Sequence, residues 1–174
     1  MSELTAQLPA FTVRRARTPD VRSIARMVSG FAADRILLNK ERVTYYEDVQ
    51  EFRVAEDRAG QVIGCGALHV LWEDLAEIRT LAVERDWHGH GVGHALLEVL
   101  LDLAKELGVS RLFCLTFEVD FFGKHGFHEI EGTPVQPEIY AELLRSGDEG
   151  VAEFLDLARV KPNTLGNTRM LREF

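Results

Sequence analysis

The chain has 174 residues, enough for one domain with an adequate core and little more. Its apolar fraction of 46% and charged fraction of 28% are those of an ordinary soluble globular protein, and no apolar run approaches the roughly 20 residues of a membrane helix. A formal net charge of −8 argues against a nucleic-acid partner, because such binding rests on neutralising phosphates with basic side chains.

Residues 1–10 read as a loose leader, without the basic start and apolar stretch of a secretion signal. Cys65 and Cys114 fall in apolar, β-like runs, which predicts buried free thiols and a cytoplasmic location. Phe11–Arg15 alternates as a first strand. Thr18-Pro19-Asp20 then supplies an N-cap with proline at the first helical position, and a helix over Asp20–Ala33 places Val21, Ile24, Ala25, Val28 and Phe31 on one face. After Ile36-Leu37-Leu38, a short amphipathic helix runs through Tyr45, Tyr46 and Val49. Lys40 and Arg42 lie between these apolar segments, either as solvated loop charges or as cations facing an anionic substrate group.

Glu51–Glu56 and Gln61–Trp72 read as an antiparallel pair turned at Arg58-Ala59-Gly60. Gly64 and Gly66 keep the second of these strands thin, a sign that a backbone or a ligand approaches closely. His69 near its end is either a pocket residue or a surface histidine. In Glu77–Val83, period-two alternation puts Glu77, Arg79 and Leu81 on one face and Ile78, Thr80 and Ala82 on the other. Charges are costly to bury unpaired, so Glu77 and Arg79 call either for mutual pairing or for a site.

The turn His88-Gly89-His90-Gly91-Val92-Gly93 follows. Glycines at 89, 91 and 93 let successive backbone N–H groups point into one concavity, and the first turn of the next helix adds unpaired donors and the positive end of its dipole. Such a turn binds a phosphate or pyrophosphate. Arg85, His88, His90 and His94 make it locally basic. Neither the dinucleotide spacing nor the ATP P-loop spacing is present. Three nearby histidines suggest zinc, but the glycines between them suit an anion nest better, so no metal is expected.

The helix from Val92 to Leu107 carries apolar residues at 92, 96, 99, 100, 103 and 107 and stops at Gly108. Arg111–Phe117 reads as a strand, Asp120–His125 as a short helix, and Phe127–Ile130 as the next strand. Beyond Pro134 come a helix, Glu138–Arg145, the strand-like Val151–Leu157, a polar turn at Lys161-Pro162-Asn163, and an apolar–basic end. No repeat is seen.

With His88 in first place, the turn follows the spacing Gln/Arg-x-x-Gly-x-Gly/Ala. Flanked by Glu77–Val83 and by Phe-Phe-Gly-Lys-His-Gly-Phe at Phe121–Phe127, it resembles the acetyl-coenzyme A loop of the GNAT acetyltransferase superfamily. Within that superfamily the chain is similar to the short, stand-alone N-acetylglutamate synthases. That closer likeness rests on Ile36-Leu37-Leu38, Tyr46 and Phe52, Gly64-Cys65-Gly66-Ala67-Leu68, Thr116, and Asn167-Thr168.

The resemblance implies an α+β GNAT acyl-CoA N-acyltransferase fold, a central mixed sheet flanked by helices, as one domain over residues 1–174 with a C-terminal helix and strands from 134. It implies acetyl transfer from acetyl-CoA to the α-amine of glutamate or glutamine, at the entry to arginine biosynthesis. The same likeness implies that Leu81-Ala82-Val83 holds the pantetheine and that His88, Gly89, His90, Gly91, Val92 and Gly93 hold the pyrophosphate. Glu77 matches a catalytic glutamate and Thr116 a hydroxyl that protonates the departing thiolate; Phe122 stands where a tyrosine acid is often found. Lys40 aligns with a basic substrate-binding position, whereas Gly166 replaces a frequent arginine, for which Arg79 or Arg169 can compensate; His69 completes the candidate substrate residues. Partners implied are a small amino acid, arginine as a feedback inhibitor, and a second copy in a homodimer. The competing readings are a GNAT enzyme acting on another amine, such as a protein N-terminus, and a non-catalytic acetyl-CoA or arginine sensor.

Overall fold

The computed structural model describes residues 9–34 and 40–174, so the Ile36-Leu37-Leu38 stretch and most of the expected leader lie outside the described residues. Strand β1 (Phe11–Arg15) leads through a single 3-10 turn into helix α1 (Val21–Ala33), whose Val21, Ile24, Met27 and Val28 are buried. Asp20 anchors that entry: its carboxylate accepts from the Arg17 amide at 2.7 Å and from both Arg14 terminal nitrogens at 2.7 and 3.0 Å. The Arg14 hydrogen bonds hold the Asp20 carboxyl below its ordinary value, against the opposing effect of burial.

Helix α2 (Arg42–Glu47) precedes strands β2 (Phe52–Asp57), β3 (Val62–Trp72) and β4 (Leu75–Val83). Helix α3 (Val92–Glu106), strand β5 (Arg111–Thr116), helix α4 (Val119–Lys124) and the two-residue strand β6 (His128–Glu129) follow. The chain ends with helices α5 (Pro137–Leu143), α6 (Glu149–Phe154) and α7 (Lys161–Thr164) and strand β7 (Thr168–Glu173).

The described residues form a seven-stranded mixed sheet in the order β1-β2-β3-β4-β5-β7-β6. Every neighbouring pair is antiparallel except β4 and β5. Those two pair only over Leu75–Glu77 against Arg111–Phe113, so beyond Glu77 the two strands diverge. Among the described residues, the remaining main-chain groups of β4 on that side have no strand partner.

One face of the sheet packs on α3: Leu68, Ile78, Leu112 and Cys114 join Leu97, Leu100 and Leu101 in one cluster. Close approach explains the glycines of β3. A Cβ at Gly64 would stand 2.9 Å from Leu96, and one at Gly66 would stand 2.9 Å from Leu81 and 3.0 Å from Leu100. The other face carries two separate apolar clusters. One gathers α1, Tyr45, Cys65, Ala67 and Ala82; the other gathers Leu71, Leu75 and Phe113 with Val151 and Phe154 of α6. Along β4, Glu77 and Arg79 fall between Leu75 of one cluster and Ala82 of the other. Cys65 and Cys114 are buried free thiols, and burial pushes the Cys65 thiol up to about 12.

Three expectations need correction. The strict alternation of β4 fails at Thr80, which has φ +54°, and the β3–β4 register shifts between Cys65 and Ala67. The extra residue turns Leu81 towards α3, where it packs with Leu100, instead of leaving it on the Glu77–Arg79 face. Val151–Leu157 is not a strand. Asp148 caps a helix there by accepting the Val151 amide at 2.8 Å, and Val151, Ala152, Phe154 and Leu155 are buried at helical spacing. In α3, Leu107 is 55% exposed, while Leu97 and Leu101 are in the core. No described helix is long and apolar enough to cross a membrane.

Candidate active site

Two constructions meet where β4 and β5 separate. The first is the glycine turn. From Val83 the chain passes through a 3-10 turn, Arg85–Trp87, and reaches α3 with Gly89 at φ +78° and Gly91, its N-cap, at φ +80°. These values are open to glycine and strained for other residues. Gly93 lies inside the helix, so its freedom is not what shapes the turn. Among the described residues, the amides of Gly89, Gly91, Val92, Gly93 and His94 donate to no main-chain acceptor. They surround the positive end of a 15-residue helix.

The histidines of the turn are engaged separately. His88 Nε2 lies 2.9 Å from the Val83 carbonyl, and His90 Nδ1 lies 3.0 Å from the His88 carbonyl. His94 instead meets the end of α4: its Nδ1 is 2.7 Å from His125 Nε2, while His125 Nδ1 donates to the Phe121 carbonyl at 2.9 Å. Glu98 is the third member of that group. Arg85 pairs with Asp34, which removes it from the expected basic cluster.

The second construction is a cavity of about 80 Å³ on the sheet face between the two apolar clusters. Glu77, Arg79 and Thr80 of β4 and Leu115 of β5 form its floor. Lys40 closes one side, and Gly150 and Glu153 of α6 with Asn163 and Asn167 close the other.

Glu77 and Arg79 are coupled. Arg79 Nε donates to Glu77 Oε2 at 2.6 Å, and Arg79 Nη2 lies 2.7 Å from Asp148 Oδ1. Burial opposes the Arg79 charge, but the two carboxylates outweigh it and raise its pKa. Burial also pushes the Asp148 carboxyl up; Arg79 and the Val151 amide outweigh that and bring it down to about 2. Among the described residues, Arg79 Nη1 is buried and has no hydrogen-bond partner. A buried guanidinium N–H without a partner is costly unless a ligand oxygen completes it.

His69 stands directly across from Glu77 on β3, and its Nδ1 is 2.8 Å from Glu51 Oε1. Lys40 Nζ is 4.0 Å from Asp48 Oδ2. Glu153 has a different environment. Among the described residues its carboxylate makes no hydrogen bond or ion pair; burial, and then the Glu77 charge, push it up to about 7.

The structure thus brings Lys40, Glu77 and Arg79 to one cavity, with His69 beside them. It does not bring Arg169 there. That guanidinium donates to the carbonyls of Gly132, Glu153 and Phe154 at 3.0, 3.1 and 2.6 Å and lies over the Phe113 ring, so it clamps α6 onto β7 and is committed to that role. Thr116 lies on the opposite side of β5, on the face of Leu112 and Cys114; its Oγ1 accepts the Glu118 amide at 2.8 Å. Phe122 is buried against Phe121 and Phe127. Gly166, where the resemblance prefers arginine, has φ +82°, and a Cβ there would stand 3.1 Å from Phe117.

Sequence reasoning missed Asp148, Gly150, Glu153 and Asn163. The first three belong to the segment read as a strand and its approach. The signal available was Asp148 followed by Glu149, an N-cap with an acidic first turn.

Comparison with known proteins fits this geometry. Residues 23–129 match the pattern described as the Acetyltransferase (GNAT) family. The chain is 60% identical over 161 residues to an amino-acid acetyltransferase of Mycobacterium tuberculosis, covering 91% of this chain and 92% of that protein. A crystal structure of Rv2747 from M. tuberculosis in complex with CoA and NLQ superposes with a TM-score of 0.91 at 59% identity, covering 94% of this chain and 99% of that one. The fold is also that of an N-acetylglutamate synthase from Neisseria gonorrhoeae complexed with coenzyme A and N-acetyl-glutamate, at TM-score 0.74 and 24% identity. There the match covers 96% of this chain and 36% of the other. A glycine turn with free amides at a helix start, a splayed strand pair and a polar cavity beside it agree with these likenesses, and the chain belongs to the GNAT acetyltransferase family.

Proposed function

We propose that this protein transfers the acetyl group of acetyl-CoA to the α-amine of a free amino acid, glutamate or glutamine, by direct attack in a ternary complex, the entry step of arginine biosynthesis. The observation that carries the substrate class is Arg79 Nη1, a buried donor with no partner among the described residues, in a cavity that Lys40 also lines. Two cationic groups suit the oxygens of a small amino acid, and the carboxylates of Glu77 and Glu153 suit its ammonium. The relatives named as amino-acid acetyltransferases support the same class.

The parts then have distinct work. The free amides from Gly89 to His94 take the pyrophosphate of the coenzyme. The main chain of Leu81-Ala82-Val83, beyond the point where β5 leaves β4, takes the pantetheine amides and presents an N–H to the thioester oxygen as negative charge develops there. Holding amine and thioester in a near-attack arrangement supplies several kcal/mol, on the order of the 7–11 kcal/mol known for well-oriented intramolecular reactions at most. Glu77, fixed by Arg79, positions the ammonium. Thr116, whose hydroxyl accepts the Glu118 amide and donates to no acceptor among the described residues, is the candidate donor to the departing thiolate.

The test is thiol release from acetyl-CoA with a panel of free amino acids. Release with glutamate or glutamine supports the proposal, and release only with a peptide N-terminus or another amine removes it.

A further inference from the structure

The mechanism needs a group that takes a proton from the incoming ammonium, and two carboxylates face the cavity. They are not equivalent. Glu77 is 7% exposed at its side chain and receives a 2.6 Å hydrogen bond from Arg79, so it is held in place against a buried guanidinium. Glu153 projects from the second turn of α6 into the same cavity and makes no hydrogen bond or ion pair among the described residues. Its backbone is held rigidly, since its carbonyl accepts from Arg169 Nη1 at 3.1 Å.

Building on the reading above, we infer that Glu153 is the general base of acetyl transfer and that Glu77, locked to Arg79, serves only to orient the substrate. Charged groups face Glu153 from three sides: Glu77 and Arg79 from β4, Lys40 from the segment before α2, and Glu149 from its own helix. Burial acts most strongly and, with Glu77, outweighs Arg79 and Lys40, so the carboxyl is pushed up to about 7. A base is most effective when its pKa lies near the working pH, and of the two carboxylates only Glu153 is free of a hydrogen bond or ion pair among the described residues.

The ammonium gives one proton to the Glu153 carboxylate, and the neutral nitrogen forms a bond to the acetyl carbonyl carbon. The tetrahedral adduct collapses with cleavage of the C–S bond. Thr116 gives its hydroxyl proton to the leaving thiolate, the second nitrogen proton replaces it by way of water, and Glu153 returns its proton to water, leaving amide and free thiol.

The experiment is the pH dependence of kcat and kcat/KM for the wild-type protein, Glu153→Gln, Glu153→Asp and Glu77→Gln, using whichever amine the wild type acetylates. Glu153→Gln should lose about 100-fold or more in kcat/KM at pH 7.5, and the rising limb near pH 7 should vanish while CoA affinity is unchanged. Glu153→Asp should keep the limb at reduced rate, and Glu77→Gln should keep it with a raised amino-acid KM. The inference is overturned if Glu153→Gln retains the limb and Glu77→Gln abolishes it. If glutamate and glutamine are both refused, the substrate reading fails by itself. Carbon-13 NMR of labelled glutamates then reads Glu153 without a substrate: a carboxyl titrating near 7 that Glu153→Gln removes supports the role, and its absence from the wild type ends it.

Discussion

Gly150 lies directly against the guanidinium of Arg79: a Cβ built on it would stand 2.5 Å from both Cζ and Nη2. Only the missing side chain lets α6 close over the cation that Glu77 and Asp148 neutralise. Gly150→Ala should therefore displace Arg79, destabilise the fold by about 1–3 kcal/mol, and raise the amino-acid KM while leaving CoA affinity intact. Chemical denaturation and calorimetry with CoA check both halves.

Asp148 links that ion pair to the start of α6. Its carboxyl titrates at about 2 in the fold against an ordinary 3.8. A lowered pKa means the unfolded chain binds the extra proton, so the stabilisation is complete above about pH 4 and is lost as pH falls towards 2. The loss is on the order of 2 kcal/mol. Urea midpoints measured from pH 5 to pH 2 should fall less steeply for Asp148→Asn, which lacks the titration and begins less stable.

Glu153 has the opposite sign. Its carboxyl is raised from 4.5 to about 7, so the folded protein binds the extra proton and loses stability as pH rises from 4.5 through 7. Glu153→Gln should raise the melting temperature at pH 8 and change it little at pH 4. A site that holds a carboxylate out of water sacrifices stability for reactivity.

Gly91 sets the turn before α3 by its left-handed backbone at φ +80°. A β-branched residue there costs about 1–3 kcal/mol of strain or forces the turn open. Gly91→Val should weaken CoA binding by about tenfold or more without disturbing the Glu77–Arg79 cavity. Calorimetry with CoA measures the loss, and an unchanged affinity would show that the amides of the turn do not bind the coenzyme.

What the sequence made legible was local. Alternation in β4, paired glycines and the amphipathic start of α3 are contiguous signals, so the turn was placed within a residue or two. The reversal at Thr80 was not legible, because a bulge depends on how β3 pairs with β4. Val151–Leu157 was ambiguous in kind, since a short apolar run suits a buried strand as well as a helix. Glu153 stayed hidden with it: beside Asp148, Glu149 and Asp156 it reads as one more acid of a solvated segment, and only the docking of α6 beside β4 brings it to the cavity it shares with Glu77. The surroundings of Arg169 were not legible either, because a basic residue beside Asn167-Thr168 gives no sign that three carbonyls occupy it.

The most direct measurement is coenzyme A thiol release when purified protein and acetyl-CoA meet free glutamate or glutamine at neutral pH. Saturable release dependent on the amino acid, with the matching N-acetyl product, is the predicted result. Tight acetyl-CoA binding without release on any free amino acid would contradict the account.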